Sequence, residues 1–203
     1  MRKQRNAEDT RERVLTAARE LFAERGFSGT PLALIAQKSG ISDGLILHHF
    51  QTKENLYRQL LEDLAGRYSR ELVQANISAG SPAEAMQQTL AASFNFWKND
   101  TAYQRISLWA YLEGRTELAE QETALTAGLV RQVEAMQTQG LIDTRFSPII
   151  FLTMIIGPIH FWLRYRDQFK TILNLSTSAD DLDELFLEQL TGLVREISRK
   201  IAV

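Results

Sequence analysis

The chain has no cysteine. That excludes a disulfide framework, a thiolate metal site and a cysteine nucleophile, and it fits a protein of the reducing cytoplasm. No glycine-rich phosphate loop, His-x-x-x-His pair or paired-carboxylate signature occurs either, so the sequence marks no catalytic residue, no cofactor and no enzyme. Asp180, Asp181, Asp183 and Glu184 read as negative charge at a helix N-terminus. His48 and His49 are adjacent and point apart on a helix, which excludes them as a metal pair. Long apolar runs are missing too. The most apolar window, residues 149–159, is too short to span a bilayer, and residues 1–13 are charged and lack the apolar segment of a signal peptide. The expectation is a cytoplasmic chain with no membrane partner. No strand alternation, low-complexity tract or internal repeat breaks the pattern. Hydrophobic residues at 44% and charged residues at 24% place the chain among ordinary folded proteins rather than disordered ones.

What is present is helical punctuation. Asp9, with Glu12 at capping-box spacing, opens a first helix burying Val14, Ala18, Leu21 and Phe22. Thr30 caps a short helix with Pro31 in its first turn, and Leu32, Ile35 and Ala36 face inward. Gly40 stops it, Ile41 plugs the turn, and Ser42 caps a second short helix through Phe50. Thr52 caps a long helix over 53–77. Ser81-Pro82-Ala83-Glu84 is a further start. Additional helices span about 101–113, 117–139 and 148–169, the latter crossing Pro158. Asp180 or Asp181 caps the last, which ends near Lys200. The expectation is an all-α chain of about nine helices.

Two short helices across a glycine-containing turn make a helix-turn-helix, whose second helix enters the DNA major groove. Net charge is −2, but it is uneven: residues 1–55 carry +2 and the remainder −4. Arg2, Lys3, Arg5, Arg11 and Arg13 form a basic start, an arm suited to phosphates or the minor groove. Gly26-Phe27, Thr30, Ile35-Ala36, Ser39-Gly40-Ile41-Ser42, Gly44, His49-Phe50 and Lys53-Glu54-Asn55-Leu56 together resemble the TetR family of one-component transcriptional regulators over the first quarter of the chain. The resemblance implies a homodimer with a DNA-binding head, residues 1–52, and a ligand-binding and dimerisation domain, residues 53–203. It also implies that a small molecule changes the spacing of the two heads.

The DNA-contact candidates are Arg5, Thr30, Ser42, Asp43, Gly44, Leu45, Leu47, His48, His49 and Lys53. Asp43 can accept from a cytosine amino group, and Leu45 can meet a thymine methyl or lie on the head's own core. Lys53 beside a capped helix start makes a phosphate clamp. Leu47 stands where the family commonly has a phosphate-touching tyrosine, and it cannot donate a hydrogen bond.

Apolar residues on more than one face of the last two helices suggest a four-helix dimer interface built from Ile155, Ile159, Trp162, Leu182, Leu185, Phe186, Gln189, Leu190 and Leu193. Aromatic residues gather between positions 94 and 165, and a hydrophobic effector pocket is expected among Phe94, Trp97, Tyr103, Trp109, Phe151, Met154 and Phe161. The leading reading is a ligand-responsive regulator, most often a repressor in this family, released from a near-palindromic double-stranded operator by a hydrophobic small molecule. The alternative is a helical ligand-binding or scaffold protein whose head has lost sequence specificity.

Overall fold

The computed structural model describes the backbone of residues 2–77 and 79–199 and the side chains of 7–75, 77, 79–81, 84–116 and 123–196. Among the described residues there are nine α-helices and no strand: α1 (Arg2–Arg25), α2 (Leu32–Ser39), α3 (Asp43–Phe50), α4 (Lys53–Ile77), α5 (Pro82–Asn99), α6 (Thr101–Leu112), α7 (Glu117–Thr138), α8 (Pro148–Ile172) and α9 (Ala179–Arg199).

Most starts use the caps that local chemistry dictates. Ser42 accepts from the Leu45 N–H, Thr52 from the Asn55 N–H at 3.0 Å, and Ser81 from the Glu84 N–H at 3.2 Å. Three starts differ from expectation. The α1 backbone is already helical at Arg2, because residues 2–8 contain no glycine or proline to delay it; Asp9 is therefore inside the helix. Pro31, not Thr30, occupies the N-cap position of α2, and no side chain caps it. Ser178, not Asp180 or Asp181, caps α9, accepting from the Asp181 N–H at 3.0 Å.

The chain divides into two compact units, and the division does not fall at residue 52. One unit is Met1–Arg67 with Asp100–Thr123; the other is Tyr68–Asn99 with Ala124–Val203. The first therefore holds α1 to α3, the start of α4, all of α6 and the first turns of α7. Its core is Val14, Leu21, Phe22, Ile35, Ile46, Phe50, Leu56 and Ile106, with the rings of Phe22, Phe27 and Tyr57 between 4.9 and 5.9 Å apart.

Polar ties explain why α6 joins this unit. Asp100, 4% exposed, caps α6 by accepting from the Tyr103 N–H at 2.9 Å, and it pairs with Arg19 of α1 at 2.6 Å and Arg67 of α4 at 3.8 Å. Arg105 Nε donates to the Ala23 carbonyl at 2.7 Å. At the other end of α6, Glu113 accepts from the N–H groups of Phe27 and Ser28 at 3.1 and 3.0 Å. The Arg115 guanidinium lies 3.5 Å from the Phe27 ring centroid. Gly26 permits this approach. Its φ is +70°, and a Cβ there would sit 2.7 Å from Glu113 Oε1 and 2.9 Å from the Trp109 ring.

In the second unit α5, α8 and α9 run close together around Leu90, Phe94, Phe151, Leu152, Ile155, Ile159, Leu190 and Val194. Asp183 is buried here, receiving hydrogen bonds from Lys98 at 2.9 Å, from Trp162 Nε1 at 2.8 Å and from Arg166. Burial alone raises its pKa, but the Lys98, Arg166 and Trp162 bonds outweigh that and hold it below the ordinary carboxylate value. By length and composition α8 could cross a membrane, yet Phe151, Leu152, Ile155 and Ile159 pack it into this core.

Candidate DNA-reading face and effector cavity

The α3 helix is anchored by Ile46 and Phe50, both fully buried, which turns the opposite face outward. That face carries Asp43, Gly44, Leu45, Leu47 and His48, all exposed, with Ser42 exposed at the cap. Leu45 and Leu47 are 40% and 42% exposed, so neither belongs to the head's own core. No other part of the described chain packs over Gly44, leaving its surface open to close approach by another molecule. His49 is half-buried beside Phe50, its ring 5.6 Å from that of His48. Among the described residues no cluster of His, Asp or Glu could hold a metal ion.

Two of the expected DNA contacts point inward. Thr30 is fully buried; its hydroxyl donates to the Gly26 carbonyl at 2.7 Å, with the Leu21 carbonyl at 3.2 Å. It closes the α1–α2 connection instead of meeting phosphate. The Lys53 ammonium donates to the carbonyls of Phe27 at 2.9 Å and Thr30 at 3.1 Å and stands 4.0 Å from the Phe27 ring centroid. At most one of its three donors remains for a phosphate, and burial lowers its pKa. Arg5 lies outside the residues whose side chains are described. Arg13 donates to the Ser39 carbonyl at 2.7 Å and Arg11 stacks over Phe50, so part of the basic start is structural.

A small cavity of about 20 Å³ lies in the second unit, room for one water. Tyr68 and Leu72 of α4 and Met86, Thr89, Leu90 and Ser93 of α5 form part of its wall. Leu129, Gln132 and Val133 of α7 and Leu152, Ile155 and Ile156 of α8 complete it. None of the seven expected pocket residues lines it. Phe94, Trp97 and Phe151 are buried elsewhere in that unit's core, while Tyr103 and Trp109 lie on α6 in the other unit. Met154 and Phe161 are on the surface, 54% and 56% exposed. Two of the cavity's lining residues, Thr89 and Ser93, carry hydroxyls one helical turn apart on an otherwise apolar face of α5.

The expected interface residues divide by helix phase. Ile155, Ile159 and Leu190 are buried within their own unit and unavailable to a partner. Trp162 and Phe186 are half-buried and stack on each other at 4.9 Å, and Leu182 is half-buried. Leu185, Gln189 and Leu193 are exposed. Exposed Ile150, Met154 and Phe161 make the matching stripe on α8. Because α8 is apolar nearly all round, its composition does not reveal which stripe faces out.

A helix-turn-helix with an open recognition face, followed by a second helical unit, defines a DNA-binding protein with an additional helical domain. The family description "Bacterial regulatory proteins, tetR family" matches residues 14–60, and "Tetracyclin repressor-like, C-terminal domain" matches residues 88–185. The chain belongs to the TetR family and is a DNA-binding transcriptional regulator. It is similar to the HTH-type transcriptional regulator TtgR of Pseudomonas putida, 26% identical over 181 residues that cover 82% of this chain and 86% of that one. The HTH-type transcriptional repressor KstR2 of Rhodococcus jostii is 39% identical over 83 residues, 39% of this chain and 40% of that protein. Among solved structures, the transcriptional regulator FadR of Bacillus subtilis in complex with stearoyl-CoA superposes with a TM-score of 0.70 at 20% identity, covering 89% of this chain and 97% of that one.

Proposed function

We propose that the chain acts in the cytoplasm as a homodimeric repressor that reads a near-palindromic operator with α3 and releases it when a small apolar molecule enters the cavity of its second unit. No step of this reading requires an enzyme. The observation that carries it is the division of α3 into a buried anchor, Ile46 and Phe50, and an open face from Asp43 to His48. Leu45 on that face suits a thymine methyl and Asp43 a cytosine amino group, whereas Leu47 offers no phosphate donor. A twofold dimer through the exposed stripes of α8 and α9 sets the two recognition helices one DNA turn apart, about 34–36 Å.

Coupling follows two continuous stretches of chain. Tyr68 and Leu72 line the cavity, and the first residue of the same helix, Lys53, braces Phe27 and Thr30 in the head. Four residues of α5 also line it, and α5 leads directly into Asp100, which holds Arg19 and Arg67. A ligand that fits only one setting of these helices biases the head, and operator DNA must weaken ligand binding by the same factor. The test is repeated selection of bound duplexes from a randomised pool. Two inverted half-sites separated by one helical turn support the reading, and an Asp43→Ala variant should relax preference at one position of each half-site. A pool that stays random after selection favours the scaffold alternative.

A further inference from the structure

The cavity lining selects a ligand class, an argument that rests on the cavity being the effector site. None of its lining residues is Asp, Glu, Lys, Arg or His. A carboxylate or phosphate enclosed there would lose its hydration and meet no cation, a strongly unfavourable transfer. Most of the wall is aliphatic, and two of its polar groups satisfy each other, since the Tyr68 and Ser93 hydroxyls are 2.7 Å apart. Thr89 is different. It is 8% exposed and its hydroxyl has no hydrogen-bond partner. Threonines inside helices commonly donate to the carbonyl one turn back. Thr138, Thr153 and Thr171 of this chain do so, to Glu134, Ile149 and Asp167 at 3.0, 2.8 and 2.9 Å. Thr89 stays unsatisfied at the edge of this cavity.

We infer that the effector is an uncharged, largely aliphatic molecule whose single ketone or hydroxyl oxygen takes its hydrogen bond from Thr89. A cavity of about 20 Å³ admits such a molecule only by moving a wall. The wall suited to move is the one that carries Leu129 of α7, which is only half-buried. Met86, flexible and unbranched, fills whatever shape remains.

Titration of the full-length protein with 2-octanone, n-octane, octanoate and stearoyl-CoA, followed by tryptophan emission, tests the assignment. The ketone should bind more tightly than the alkane and the two anions. Thr89→Val should weaken the ketone about 5-fold, the worth of one neutral hydrogen bond, and leave the alkane unchanged, while Thr89→Ser retains ketone binding. Thr89→Val should also melt no lower than the wild type, because an unpartnered hydroxyl contributes nothing to the fold. Equal ketone affinity in wild type and Thr89→Val, tighter binding of octanoate or stearoyl-CoA, no ketone binding, or a lowered melting temperature each overturns the inference. Failure of the effector reading has another signature: the ketone binds with the Thr89 dependence described, yet operator affinity does not change.

Discussion

Glu113 is the point at which α6 grips the head, and removing its carboxylate has a calculable cost. The side chain accepts from the Phe27 N–H at 3.1 Å and the Ser28 N–H at 3.0 Å. A hydrogen bond to a charged group contributes about 1.5–3 kcal/mol when shielded from water and much less when water can replace the acceptor. The Phe27 bond is partly buried and counts near the lower end of that range; the Ser28 bond is exposed and adds a few tenths. Glu113→Ala should therefore cost about 2 kcal/mol, a drop of roughly 4–8 °C in melting temperature for a chain of this size. Glu113→Gln keeps one acceptor and should cost about half as much. Thermal unfolding followed by circular dichroism reads the stability. Hydrogen exchange at the Phe27 amide reads the local effect, and protection there should fall more than at Ile46. A Glu113→Ala variant within about 0.5 kcal/mol of wild type, with Phe27 protection unchanged, would refute the reasoning.

Opposite faces of α8 should answer mutation differently. Met154→Glu, on the exposed stripe, should yield a folded monomer by analytical ultracentrifugation, whereas Ile159→Ala, fully buried, should cost about 2–4 kcal/mol and leave the assembly state unchanged. Thr30→Val should lower stability by about 1 kcal/mol through the lost bond to the Gly26 carbonyl; reduced operator affinity at unchanged melting temperature would instead place Thr30 on the DNA. Asp183 predicts an acid limb. Its carboxyl is held below the ordinary value in the folded state, so its contribution is complete above the unfolded pKa of about 3.9 and is lost as pH falls through the folded value. Asp183→Asn should cost about 3 kcal/mol at neutral pH, because Arg166 loses its counter-charge and Lys98 keeps only that of Asp180, and the difference should shrink in acid. Urea unfolding at pH 7 and pH 3 reads both, and an equal cost at the two values contradicts the assignment.

The head was legible because its punctuation is local. Gly40 needs its positive φ, Ser42 and Thr52 cap the helices that follow, and Ile46 and Phe50 set the phase of α3, all within a few residues of one another. Thr30 misled for the same reason. Its sequence position suits a cap, but its hydroxyl is claimed by the carbonyl of Gly26, through a fold that local pattern does not encode. The second unit was legible as helices, but not in which face of each helix is buried. Where a helix such as α8 is apolar nearly all round, composition does not separate the buried stripe of Ile155 and Ile159 from the exposed stripe of Met154 and Phe161. The assignment of α6 to the head depends on Asp100 and Glu113 meeting residues more than eighty positions away, which no periodicity reveals.

The central claim is that α3 reads sequence. Its most direct test is fluorescence anisotropy of the full chain on a duplex from upstream of its own gene and on a shuffled duplex of equal length, across a salt series. The account predicts weak, steeply salt-dependent binding to the shuffled duplex and a specific complex that survives at physiological salt. Equal affinity for both duplexes at every salt concentration, from protein freed of any bound small molecule, would contradict it.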